Sequence, residues 1–209
     1  MLSPRKGTPT LKKRSSSRVG AVRVIGGRWR GRKLDVIDSP GLRPTPDRLR
    51  ETLFNWLAPI LPGARCLDLF AGSGALGIEA ASRGAASVTL VERDSRVARH
   101  LRENLARLIN PGEDTDCRVE VLQADWANVL KGSSSDGAGP WDIVFVDPPF
   151  ADGLHTSVLD ALAAGRLAEG ARIHLESGRH DAVNVSPQYA VLKDKRFGDV
   201  QARLLSIEM

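Results

Sequence analysis

Residues 147–150 read Asp147-Pro148-Pro149-Phe150 and follow directly on the apolar run Ile143-Val144-Phe145-Val146. A buried strand that ends in a carboxylate, two prolines and an aromatic ring makes a stiff corner. Proline has no amide donor and holds φ at about −65°, so it stops a sheet ladder and fixes the groups beside it. Asp147 then offers a hydrogen-bond acceptor and Phe150 a stacking surface. The pairing suits a flat, amine-bearing ring and suggests chemistry on a nucleobase.

A second stretch, Leu67-Asp68-Leu69-Phe70-Ala71-Gly72-Ser73-Gly74-Ala75-Leu76-Gly77, runs from a strand pattern through Gly-x-Gly-x-x-Gly into a helix, and Glu92 closes the next strand 20 residues after Gly72. This is the dinucleotide fingerprint, with small residues for close backbone approach and a carboxylate for ribose hydroxyls. Taken alone it predicts a nicotinamide oxidoreductase. Asp68 argues otherwise. An acid inside the first strand, on the side facing the ligand, sits poorly beside a pyrophosphate and well beside a cation. S-adenosylmethionine, with a sulfonium, an ammonium and no phosphate, is such a ligand. Asp125 adds a third acid after the strand pattern 118–123. Asp68, Glu92, Asp125 and Asp147 all stand at or near strand carboxyl ends, where open parallel sheets collect ligands. They should surround one cleft. Trp126 has two readings, one flanking an adenine ring and one filling the core at a helix start.

The elements that must hold these residues follow from periodicity. From Ala64 onward, short apolar runs alternate with amphipathic stretches, the pattern of a doubly wound parallel sheet. Strands are expected at 65–70, 87–92, 118–123, 142–146 and 171–176, with helices at 75–83, 95–108, 126–130 and 154–164. Apolar runs near 190–192 and 202–207 have no helix between them and predict a terminal antiparallel hairpin. Ahead of this body, residues 21–36 hold two short strand candidates around glycine turns. A helix follows, with Thr45 as N-cap, Pro46 at its first position, Asp47 in its first turn, and Leu49, Leu53, Trp56 and Leu57 on one face. The fold class expected is therefore α/β: a Rossmann-like sheet, mostly parallel, with a C-terminal antiparallel hairpin and a small N-terminal hairpin and helix. Three regions are expected: a basic, disordered tail at 1–18, an RNA-contacting hairpin and helix at 19–60, and a catalytic domain at 61–209.

Charge divides the chain sharply. Residues 1–50 hold 14 Lys or Arg against three acids, and the remaining 159 hold 16 against 22, so balances of +11 and −6 underlie the net +5. A basic region on an acidic body is the layout of a protein that docks a polyanion with one part of its surface. Arg23, Arg28, Arg30, Arg32 and Lys33 are interleaved with Trp29 and three glycines, a composition in which backbone and cations approach phosphates and the indole stacks on a base. Arg43, Arg48 and Arg50 could join them; a salt bridge to Glu51 or a solvated face is the alternative for the helix arginines. Cys66 and Cys117 read as two free buried thiols of a reducing compartment, and the four histidines show no ligand spacing, so no metal is expected. With no apolar stretch of membrane length and no signal-peptide core, the chain is expected in the cytoplasm.

Taken together, Asp68-x-Phe70-x-Gly72-x-Gly74, Glu92, Asp125 and Asp147-Pro148-Pro149-Phe150 resemble the class I S-adenosylmethionine-dependent methyltransferases that modify exocyclic amino groups. More narrowly, Arg23-Val-Ile-Gly-Gly-x-x-Arg-Gly-x-x-Leu34 and Leu42-Arg-Pro-Thr-x-Asp-Arg-x-Arg-Glu-Thr-Leu-Phe-Asn-Trp-Leu57 resemble the bacterial 16S rRNA guanine-N2 methyltransferase D family, from about Val22 to the C-terminus. The resemblance implies S-adenosylmethionine as cofactor and 16S rRNA as partner, in the 30S subunit or an assembly intermediate, with the enzyme a monomer. It implies that Gly72 and Gly74 pack against the cofactor, Asp68 faces its methionine end, Glu92 accepts the ribose hydroxyls and Asp125 the adenine amine. Asp147 and the Pro148 carbonyl would accept the guanine N2 amine, and Phe150 would stack. Adenine-N6 methylation of DNA shares the Asp-Pro-Pro-aromatic logic but lacks support from the N-terminal signatures. A non-catalytic RNA-binding module is the alternative of another class.

Overall fold

The computed structural model describes residues 20–37, 46–109, 117–132, 140–149, 153–181 and 183–207. The continuous apolar run before Asp147 forms a central strand, β6 (Trp141–Val146), because a strand covered on both faces needs no polar alternation. Strands β3 (Arg65–Asp68), β4 (Ser87–Glu92) and β5 (Arg118–Gln123) run parallel to it on one side, and β7 (Leu167–Gly178) on the other. Two antiparallel strands, β8 (Tyr189–Phe197) and β9 (Val200–Ile207), complete the order β5-β4-β3-β6-β7-β9-β8. The direction of strand succession reverses between β3 and β6. The expected mixed sheet and terminal hairpin are both present. β7 extends four residues earlier than its periodicity indicated, across a register shift opposite Trp141 and Ile143.

Helices α1 (Asp47–Leu57), α2 (Ala75–Ser82) and α3 (Ser95–Leu108) share one apolar core on one face of the sheet, while α4 (Trp126–Lys131) and α5 (His155–Ala163) close the other. Helix α1 buries Leu49, Leu53 and Leu57, and Trp56 packs partly buried beside them. Pro46 occupies the N-cap position, one residue later than expected; Thr45 lies outside the described residues. All eight residues of α2 are buried. It has no polar face because it is covered twice, by the sheet beneath and by the N-terminal hairpin above. Among the described residues no helix is long and apolar enough to cross a membrane.

That hairpin, β1 (Gly20–Arg23) and β2 (Lys33–Val36), forms a third layer over α2 and α3. Glu79 of α2, fully buried, accepts from the Ile25 and Gly26 amides, both at 2.7 Å, and from Arg83 Nε at 2.6 Å. Ser82 Oγ donates to the Gly26 carbonyl at 2.6 Å and accepts from the Trp29 amide at 2.9 Å. Asn104 of α3 exchanges two hydrogen bonds with the backbone of Asp35. Strands β1 and β2 are only four residues each, too short for stability as an isolated two-stranded unit. Side chains of the helices below therefore hold the hairpin.

Candidate functional site

The order reversal between β3 and β6 opens a crevice at their carboxyl ends, and the acids converge there. Asp68 ends β3, level with Leu90 on β4 and Phe145 on β6; Glu92 and Asp147 each stand two residues beyond those partners. The loop from Leu69 to Gly74 is pinned to both neighbours, by Leu69 N to Phe145 O at 3.1 Å and Ala71 N to Val91 O at 2.9 Å. Gly72 and Gly74 adopt φ of 50° and 78°, backbone that favours glycine. Gly77 admits α2 onto the sheet: a Cβ there would lie 2.2 Å from Leu90 Cδ2.

Asp68 is 2% exposed, and its Oδ2 accepts from the Gly77 amide at 3.1 Å. Burial pushes its carboxyl up to about 7, and the charges of Asp147 and Glu92 push the same way, against the Gly77 and Phe70 amides. Three carboxylates thus act on one another around the crevice. Glu92 is oriented by the Gly72 amide at 3.0 Å and the Asp94 amide at 2.8 Å. Asp125 lies one strand further out, where it caps α4 through the Ala127 amide at 2.9 Å. Phe70 and Trp126 are both partly buried against the second core. Asp147 is half-buried, Pro148 buried and Pro149 exposed; Phe150 lies outside the described residues.

Sequence reading passed over a polar pair behind this corner. His174 and Glu176 on β7, both buried, place Nε2 and Oε1 2.9 Å apart, and the register Val146 to Leu175 brings Glu176 level with Asp147. Burial pushes the His174 imidazole down to about 4, with Asp147 acting in the opposite direction. His155 Nε2 donates to the Glu176 carbonyl at 2.9 Å. In the sequence Arg172, His174 and Glu176 alternate with Ile173 and Leu175, the pattern of a strand with one polar face.

The basic segment divides. Arg23, Arg28, Arg30, Arg32, Lys33 and Arg48 are exposed, and Arg43 lies outside the described residues. Trp29 is not a stacking platform: it is 3% exposed, its indole packed in the core beneath the hairpin. A tryptophan between arginines suggests a base-stacker, but a short hairpin needs an apolar anchor, and that demand prevails here. Arg50 is likewise withdrawn, fully buried, donating to the Arg23 carbonyl at 2.9 Å and paired with Asp47 at 2.6 Å, so its internal ion pair is with Asp47 and not with Glu51.

A family model described as conserved hypothetical protein 95 matches residues 22–206. Ribosomal RNA small subunit methyltransferase D of Escherichia coli strain K12 is 47% identical over 200 residues, which cover 95% of this chain and 96% of that relative. The chain belongs to the ribosomal RNA small subunit methyltransferase D family. The Haemophilus influenzae relative of the same name is 42% identical over 186 residues, 88% of this chain and 93% of its own. A solved Escherichia coli chain, provisionally named a methyltransferase, matches with a TM-score of 0.78 at 44% identity, covering 90% of this chain and 99% of that one. The family-model match, over residues 22–206, takes in most of the hairpin, the glycine loop and the Asp147 corner.

Proposed function

We propose that this rRNA methyltransferase transfers a methyl group from S-adenosylmethionine to the exocyclic N2 of a guanine in 16S rRNA, in the cytoplasm, during small-subunit maturation. The observation that carries the reading is the convergence of Asp68, Glu92 and Asp147 at the strand-order reversal, in a chain 47% identical to methyltransferase D over 95% of its length. The residues present fit the donor. Asp68 is a buried carboxyl whose charged neighbours are like-charged, so a cationic ligand relieves an unfavourable arrangement. The glycine loop turns beside these acids with Gly72 and Gly74 at positive φ, and the Gly72 amide holds the Glu92 carboxylate in place.

When bound, the donor supplies a methyl group already activated on a sulfonium. The chain's own residues do the rest. Asp68 faces the methionine end, Glu92 takes the ribose hydroxyls and Asp125 the adenine amine, with Trp126 beside the ring. The guanine N2 lone pair is delocalised into the purine, so the amine is a poor nucleophile until its hydrogens are held. Asp147 and the Pro148 carbonyl accept those hydrogens and Phe150 stacks on the ring. With the donor held there, its methyl group would pass to N2, the sulfonium leaving as a neutral thioether, and one N2 proton would leave toward Asp147 or water. Positioning of this kind contributes up to about 7–11 kcal/mol. A paired guanine cannot reach such a pocket, so the base is unpaired or flipped out.

The test is transfer of radiolabelled methyl to 16S rRNA from cells lacking the enzyme, with DNA in parallel and nucleoside analysis of the product. Label in N2-methylguanosine is expected. Label in N6-methyladenosine, or in DNA alone, would overturn the assignment.

A further inference from the structure

The arginine turn of the hairpin lies at the wrong end of the helical layer to touch a base held at Asp147. Helix α2 starts at Gly74 in the crevice loop and ends at Ser82, whose carbonyl accepts from the Arg28 amide at 2.8 Å and whose Oγ accepts from the Trp29 amide. Eight residues at 1.5 Å each separate the two ends by about 12 Å. Arg32 likewise caps the last turn of α3, donating to the Leu108 carbonyl at 2.7 Å. The other end of the hairpin, Val36 and Ile37, sits beside Gly72 and Ser73.

Helix α3 bridges this gap. Arg96, Arg99, Glu103 and Arg107 recur at i, i+3, i+7 and i+11, one ridge of a helix, and all four are exposed. The ridge begins in the first turn after Glu92 and ends at Arg107, which meets Asp35 of the hairpin at 2.5 Å, a run of about 16 Å. Arg96 touches Asp94 at 3.5 Å with its side chain 69% exposed, a pairing too weak to hold it. Glu103 is the ridge's one acid, 3.6 Å from His100. The opposite face differs: α4 and α5 together carry Lys131 and Asp160 and no arginine. Among the described helices, exposed arginines are confined to the hairpin side of the sheet.

We infer that the rRNA lies along this ridge, its phosphates passing from the target base at Asp147 over Arg96 and Arg99 to the turn of Arg28, Arg30 and Arg32. The path rests on the rRNA reading above and extends it to a footprint outside the hairpin. Long exposed arginines in a row neutralise phosphates without reading bases, which makes binding salt-dependent.

R96A/R99A and R28A/R30A are compared with wild type for KM with 16S rRNA and for the dependence of binding on salt. Each pair is expected to lower the slope of log affinity against log salt by about one to two and to raise KM on the order of tenfold near physiological salt. The melting shift produced by S-adenosylhomocysteine is retained, and R96K/R99K, which restores the charge, recovers most of the slope. Wild-type KM and slope in R96A/R99A, with R28A/R30A impaired, would overturn the path and leave the activity intact. Absence of label in RNA with wild-type enzyme would take both readings down together.

Discussion

In the proposed reaction Asp147 holds an amine whose lone pair belongs to an aromatic ring, while Asp68 faces a cation, and the two tasks give separable phenotypes. Asp147→Ala should lower the rate of methyl transfer by about 10²–10³, the usual loss when one preorganised polar group is removed from a reacting centre. Its cofactor affinity, read from S-adenosylhomocysteine melting shifts, should change little; equal losses of rate and affinity would contradict the role. Asp68 binds its proton more tightly in the fold, at about 7, than its ordinary 3.8. Its contribution to stability is therefore complete below about pH 4 and disappears as pH rises through about 7. A cationic ligand favours the ionised form, so the melting shift from S-adenosylmethionine should grow between about pH 6 and 8. Asp68→Asn should flatten that growth. An unchanged pH profile in the variant would show that another group titrates.

At the scale of elements, the hairpin depends on α2 for its place. Glu79 uses both carboxylate oxygens on hairpin amides, and an isosteric amide has only one acceptor. Glu79→Gln should leave a buried donor unpaired and cost about 1–3 kcal/mol, measured by chemical denaturation. Gly27 is stricter. Its φ is 74°, and a Cβ there would lie 1.8 Å from the Ser82 carbonyl oxygen, so backbone must move. Gly27→Ala should lower the melting temperature and release the turn. Limited proteolysis between β1 and β2 would detect the release, and wild-type protection would argue that the clamp is redundant.

For the whole molecule, charge placement matters more than net charge. Six basic residues and no acids lie within residues 1–18, and 14 basic residues lie within the first 50. Removing residues 1–18 should weaken rRNA binding and reduce its salt dependence, while S-adenosylhomocysteine still raises the melting temperature. Loss of the cofactor response in the truncated chain would mean that the segment serves more than the polyanion.

Local chemistry made much of this protein legible in one dimension. Alternating apolar and amphipathic runs identified every strand and helix of the body, since each element must bury a face of its own period. The acids at strand ends were readable because a parallel sheet brings successive carboxyl ends to one side, wherever the strands are ordered. What the sequence could not decide was which side a residue's neighbours come from. Trp29 among arginines looks like a surface ring, and Arg50 on a helix looks solvated. Both are buried because a third layer lies over α2 and α3. The same covering explains Glu79, an acid within a helix that has no solvent face. His174 and Glu176 acquire meaning only when β7 is set beside β6, 29 residues apart in a register that only the folded sheet fixes. Tertiary structure also turned the arginine turn away from the Asp147 corner, since helices run back from the crevice and carry whatever packs on their ends to the far side.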